Sequence, residues 1–541
     1  MVRAQSNSLV DACLRVYTAA TRAATLWGVP LRNVTLRNVT PWNVNPWALI
    51  ACAVISLAVT SSALGKPQTP PPSQQYDLMA ASEIATMKTP SPDVAAILDI
   101  DAERATTGPR PHRVAVAVPA PVDVVQAATR EFVAGGELLR YRIQFDDGYF
   151  TSAKFSAFDL PDGATLHFVS ESHVYADGPY GHVHNRTTGR FGMPIVPGNA
   201  VIIELFVPNG QQATLVLESV SYGFRQLPML AAFSLRSGED TAPGPLYGGG
   251  GPFGCQRDIN CPEGAPYQQV KRAVAEGYDG QFVCSGQLIN NTAEDNRYLY
   301  LTAAHCEWWL DPSTLSFYWD YENSGCGTND FPPFTFSTGS TDLYHSTNPN
   351  FDLQLLELDG TDLDETYNVY YMGWSLSMTA PQQGAIIGFP DDKPKQIAYS
   401  LAPMIDCSVG GCPGGFGGPY WRLDNYDVGF TQGGSSGGGL LNEDLHVVGV
   451  LTGGVGTTCN NFAWDEFYKL NHEYAQIAEH LDPLRTGSTS LHGKDWQDKP
   501  VKTVPAASSW GLLITGLLFM TLCALCERIM NHSLMKSGIG P

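Results

Sequence analysis

The sequence predicts a mainly β protein of several domains, with an apolar segment near each end. Three observations lead there. Apolar residues make up 43% and aromatics 11% of the 541 residues, while only 16% are charged and 54 glycines and 38 prolines interrupt the chain. That balance builds cores from strands and turns rather than long charged helices. Runs with period-two alternation, separated by turn residues, recur through the middle of the chain. Eight of the 12 cysteines fall between Cys255 and Cys459, an even and confined set of the kind oxidised outside the cytosol. At about 150 residues per domain, the length has room for three or four.

Residues 1–65 read as a signal region. Arg3, Arg15, Arg22, Arg32 and Arg37 precede the apolar WALIACAVISLAV (Trp47–Val59), and TSSALG supplies small residues for cleavage near Ala63 or Gly65. The stretch before the apolar core is long, so translation from a later start is an alternative. Leu49–Cys52 faintly matches a lipoprotein signal, but the apolar run continues past the cysteine. Residues 66–112, rich in Pro, Ser and Ala, read as a disordered linker or pro-segment.

Residues 113–238 carry VAVAV, YRIQF, TLHFV, AVIIELFV and TLVLESV between DDG, PDG and PNG turns. Antiparallel strands follow, hence a β-sandwich acting as a pro- or accessory domain. His182 and His184 (HVH) would share one face of a strand. With no carboxylate or cysteine at ligand spacing, they read as exposed structural histidines rather than a metal pair.

Residues 239–251, including APGPLYGGGG, form a Gly/Pro linker. Residues 252–485 are the cysteine-bearing block, turn-rich and of a size suited to two small β-barrels. Residues 486–508 form a second linker. In 509–541, SSWGLLITGLLFMTLCALCERIM gives about 17 apolar residues, the short edge of a bilayer span. Arg528 and Lys536 beyond it fit a C-terminal transmembrane helix with a cytoplasmic tail.

The net charge of -21 and the lack of a Lys/Arg cluster exclude a nucleic-acid role. The block shows no paired CxxC knuckles, so no metal or cofactor is expected.

Three strings carry chemistry. YLYLTAAHC (Tyr298–Cys306) is an apolar strand ending on His305, beside a cysteine that could fix the ring of a general base. Asp352 precedes LQLLEL, where an aspartate is either a turn residue or the buried carboxylate that orients a histidine. TQGGSSGGGLL (Thr431–Leu441) holds two serines between glycines, which permit backbone N–H groups to converge on an oxyanion. As GxSxG it would nominate Ser435 and an α/β-hydrolase. The order His305, Asp352, Ser436 and the lack of alternating helices argue instead for Ser436 as nucleophile. Leu451–Thr452–Gly453 is expected to form the strand edge that pairs with substrate backbone.

TAAHC, DLQLLEL and GSSGGGL, with CQRDINCPEG and YWDYENSGC, make residues 254–481 resemble the trypsin-like serine peptidases, most closely the bacterial lysyl endopeptidases. The resemblance implies two β-barrels and an exported endopeptidase acting on polypeptides. It also implies a base at His305, its partner Asp352, a nucleophile at Ser436 and oxyanion N–H groups from Gly434 and Ser436. It further implies disulfides Cys255–Cys459, Cys261–Cys326 and Cys284–Cys306. Cys407 and Cys412 remain, and their short separation suggests a fourth bridge, with free thiols as the alternative. In this family an aspartate after the last disulfide cysteine binds a cationic substrate side chain. CNNFAWDEFYKL offers Asp465 there, with Glu466 adjacent and a plain surface acid as the competing reading. Ser435 stands where many zymogens carry the aspartate that receives a freed N-terminus, so that switch is not available. The tail resembles PEP-CTERM-type sorting signals, without their closing arginine cluster.

Overall fold

The computed structural model describes residues 70–105, 108–173, 175–230, 255–328, 335–363, 367–408, 410–456 and 462–496. The expected signal region, the Gly/Pro linker and the C-terminal apolar segment lie outside them. Among the described residues no helix is long and apolar enough to cross a membrane.

The alternating segments pair as two sheets. In spatial order the first contains Thr86–Thr89, Gly136–Phe145, Ala200–Pro208, Thr165–Ser170 and Ala176–Tyr180, with Thr129–Val133 also paired to Gly136–Phe145. The second contains Ala115–Asp123, Thr214–Gly223, Phe150–Asp159 and Phe191–Pro197. Their inner faces meet through aromatics: Phe155 stacks on Phe168 at 6.0 Å, and Phe145 meets Tyr222 edge-on at 5.3 Å. Such pairs are favoured beyond the apolar area they bury.

Two expectations are corrected here. Much of the segment expected to be disordered is ordered. Thr86–Thr89 pairs in parallel with Arg142–Phe145, a helix runs over Val94–Ala105, and His112–Arg113 pairs with Phe282–Val283. A four-residue strand is too short to display a period, and Ile84 earns its place by packing on Val169 and Ile202. HVH is a 3-10 turn rather than a strand. His182 is exposed as expected, near Asp162, but His184 is buried with Nε2 3.0 Å from Asp362 Oδ1. That carboxylate lies 178 residues away in sequence, beyond any local spacing argument.

The sandwich and the cysteine-bearing block fall in one compact unit. Ser152 Oγ and Tyr278 OH share a buried hydrogen bond of 2.8 Å, and Tyr318 OH accepts from the Ile195 N–H at 2.9 Å. Asp311 receives both Arg190 and Lys154, while Arg186 donates to Thr338 O and Asp359.

The block itself is built on two larger sheets, and Tyr370–Tyr371 pairs apart from them with Lys494–Asp495. One orders Thr335–Thr338, Ser316–Trp319, Val274–Tyr278, Phe282–Leu288, Leu299–Thr302, Gln354–Leu358 and Ser340–His345. The other orders Arg257–Asp258, Gln396–Ser400, Gly384–Gly388, Gly439–Leu441, Val447–Val455, Trp464–Lys469, Tyr420–Leu423 and Ile405–Asp406. Their ladders are antiparallel, apart from single parallel bridges at Trp374–Val447 and Ile289–Met372. The described residues of this block therefore form no parallel sheet with helical crossovers, which removes the α/β-hydrolase reading. The helix Leu470–Leu481 follows, burying Leu470, Glu473, Ile477 and Leu481 at helical spacing.

Candidate active site

The three chemical strings sit at strand ends. Leu299–Thr302 ends in the short turn Ala304–Cys306, and the Cys284–Cys306 disulfide ties that turn to the neighbouring strand. Asp352, two residues before Gln354–Leu358, caps the turn twice. Its Oδ1 accepts the His305 backbone N–H at 2.8 Å, and its Oδ2 lies 2.9 Å from His305 Nδ1. Burial pushes the Asp352 carboxyl up. The His305 ring, the His305 hydrogen bonds and the nearby Thr452 hydroxyl outweigh it, so the net direction is down. His305 Nε2 is buried and has no hydrogen-bond partner among the described residues.

The glycine-rich turn is fixed by contacts that only glycine permits. Gly434 and Gly437 have φ of +93° and +82°. A Cβ on Gly434 would lie 2.4 Å from Phe389 O, and one on Gly437 would lie 2.1 Å from Thr302 Oγ1. Gly437 therefore packs against Thr302 and Ala303, the residues leading to His305. The carbonyl of Ser436 accepts the Ser285 N–H at 2.8 Å, while Gly437 N–H donates to Leu451 O at 2.8 Å. The N–H groups of Gly434 and Ser436 donate to nothing among the described residues. Of the two serines, Ser435 is the more enclosed, and its Oγ faces the Gln432 N–H.

Asp465 and Glu466 separate by strand alternation. Asp465 lies on Trp464–Lys469 opposite Gly454 and is 3% exposed. Its Oδ2 accepts from Tyr426 OH at 2.7 Å and Thr431 Oγ1 at 2.5 Å, while Oδ1 lies against the Gly454 α-carbon. Burial raises its carboxyl to about 6, and no cation pairs with it among the described residues. Glu466 points the other way. It accepts the Phe416 N–H at 2.8 Å and sits beside Cys407 and Arg422, holding the loop that Cys407–Cys412 closes. Thr452 is buried and Gly453 has φ +149° at the register break of Val447–Val455, next to the Asp465 pair.

Cys261–Cys326, Cys284–Cys306 and Cys407–Cys412 are bridged. Cys255 is also disulfide-bonded, while Cys459 lies outside the described residues.

Sequence reasoning did not single out Ser285. Its Oγ donates to Gly434 O at 2.8 Å and accepts from the Phe389 N–H at 3.0 Å. Nor did it single out Gln287, whose Oε1 accepts from Gly439 N–H at 2.6 Å. Both sit in CSGQL, directly after a cysteine assigned to the histidine turn, and that adjacency was the only available signal.

The chain is a serine endopeptidase with a chymotrypsin-type fold. Within that class, residues 250–469 match the family described as lysyl endopeptidase, C-terminal domain. The lysyl endopeptidase of Pseudomonas aeruginosa is 26% identical over 351 residues, covering 60% of this chain and 70% of that protein. Among solved structures, a protease from M. tuberculosis in its active form is 14% identical, covering 41% of this chain and 84% of its own, with a TM-score of 0.26. Human heparin binding protein is 16% identical, covering 40% and 93%, with a TM-score of 0.29.

Proposed function

We propose that the chain is an exported endopeptidase in which Ser436 is the nucleophile, His305 its base and Asp352 the group that orients the base. The observation that carries this is the double cap of Asp352 on His305. With Nδ1–H given to the carboxylate, Nε2 keeps its lone pair and has no other partner among the described residues. That nitrogen takes the proton from Ser436 as Oγ attacks the substrate carbonyl, and returns it to the leaving amine. Water repeats the sequence on the acyl-enzyme. The unoccupied Gly434 and Ser436 N–H groups would receive the oxyanion of each tetrahedral intermediate, a contribution of about 3 kcal/mol per donor in such sites.

Asp465 is proposed to select Lys or Arg on the acyl side of the cut. A buried carboxylate without a cation is an expensive arrangement that a substrate ammonium or guanidinium would relieve. Thr452 and Gly453 are proposed to flank that pocket and to offer their strand edge to the substrate. Three bridged cystine pairs favour an oxidising compartment, and the apolar tail is proposed to anchor the chain to a membrane. Digestion of an unfolded polypeptide by the full chain, with sequencing of the new ends, tests this reading. Cuts after Lys or Arg that vanish in Ser436→Ala support it. A folded wild-type chain that makes no cuts would mark a peptidase fold retained for surface binding.

A further inference from the structure

The residues before the sandwich lie across the catalytic block. His112–Arg113 adds as an antiparallel strand to the start of Phe282–Leu288, with His112 opposite Val283 and Arg113 opposite Phe282. Two further backbone bonds, Val114 N–H and Ala115 N–H to Gln281 O at 2.8 and 3.1 Å, continue the contact into the sandwich. The His112 ring rests on the nucleophile turn, where a Cβ on Gly433 would lie 2.4 Å from His112 Nδ1. Its Nε2 is 3.1 Å from Asp392 Oδ2 and 4.0 Å from Asp391 Oδ1. Arg110 reaches Glu307, two residues past His305, at 3.6 Å.

This position is where substrate has to go. Ser436 is held between Leu451, through Gly437 N–H, and Ser285, through its own carbonyl. A peptide whose acyl side pairs with Leu451–Gly453 therefore leaves the nucleophile over the other edge, at Phe282–Cys284. An extended peptide adding to an exposed strand edge is a common recognition mode, and His112–Arg113 already occupies that edge. We propose that Arg110–Arg113 is a built-in occupant of the leaving-group half of the cleft. The seat formed by Gly433, Asp391 and Asp392, filled here by His112, takes a basic side chain of the substrate once the segment is displaced. The proposal rests on the catalytic reading above, and it names a substrate preference that Asp465 does not supply.

The test uses the full chain and two substrate types sharing one acyl side. One ends in a small arylamide, and the other extends as a peptide with lysine scanned through the first three positions beyond the cut. In His112→Ala, KM for the extended peptides should fall roughly 3- to 10-fold, while the arylamide changes less than about 2-fold. In that background, Asp391→Asn/Asp392→Asn should abolish a preference for lysine at one of the scanned positions. Equal changes on both substrate types, no change on either, or no lysine preference at any scanned position would overturn the proposal. A fluorophosphonate probe, which reaches only the nucleophile, distinguishes the failures. A wild-type chain that resists the probe overturns the catalytic reading and this one with it. A labelled chain lacking the substrate difference overturns only this one. Should His112→Ala fail to label, His112→Gln, which retains a hydrogen-bonding side chain, is held to the same outcomes.

Discussion

Asp465 shows how one position joins specificity to stability. Its folded carboxyl is raised from 3.8 to about 6 by burial, so the fold holds that proton more tightly than the unfolded chain does. Stability is then lost as pH rises from about 4 to about 6, and the loss persists above. Asp465→Asn removes this penalty, and its thermal midpoint at neutral pH should rise, by at most about 3 kcal/mol of stability. The same substitution should lower the ratio of kcat/KM for Lys over Met substrates by roughly 10- to 100-fold, the range of a charged hydrogen bond. In the unaltered protein that ratio should climb with pH through about 6, since dividing two substrates cancels the ionisation of the shared base. A flat ratio would remove Asp465 from specificity. Asp352 runs the opposite way: its lowered carboxyl stabilises the fold above the ordinary aspartate range, and that support is lost as pH falls through its depressed folded value. The sequence placed both aspartates as candidates, but only strand alternation, visible in the paired register, separates Asp465 from Glu466.

The elements that carry the site were legible where a motif coincides with a strand end. His305 and Asp352 stand at such ends, and the turn holding Ser436 announces itself by glycines that two positive φ angles require. What supports the turn was not legible, because a serine 149 residues away in sequence carries no local pattern. Ser285→Ala would leave Gly434 O without its donor and Phe389 N–H without its acceptor. Each buried loss costs about 1–3 kcal/mol, and the displacement falls on Gly434, two residues before the proposed nucleophile. The expected result is a drop in kcat of roughly 10-fold with little change in KM, measured on an arylamide. An unchanged kcat would make Ser285 a bystander.

At the scale of the molecule, the sandwich behaves as part of the peptidase fold. Composition predicted a separate domain behind a disordered leader, since a low-complexity average conceals short ordered pieces such as Thr86–Thr89 and His112–Arg113. Tyr278 and Tyr318, fully buried in the catalytic block, have hydroxyl partners on the sandwich, Ser152 and the Ile195 N–H. Tyr318→Phe should therefore destabilise by about 1–3 kcal/mol through the orphaned Ile195 N–H. Calorimetry should show one shared transition moving down, whereas two transitions of which only one moves would mean the units fold independently.

The most direct measurement treats the full chain with a fluorophosphonate and identifies the modified residue by mass spectrometry. The adduct is expected on Ser436, and it should disappear in His305→Ala, because without the base the hydroxyl is not activated. An adduct on Ser435, or a folded chain that carries none, would contradict the assignment of the nucleophile.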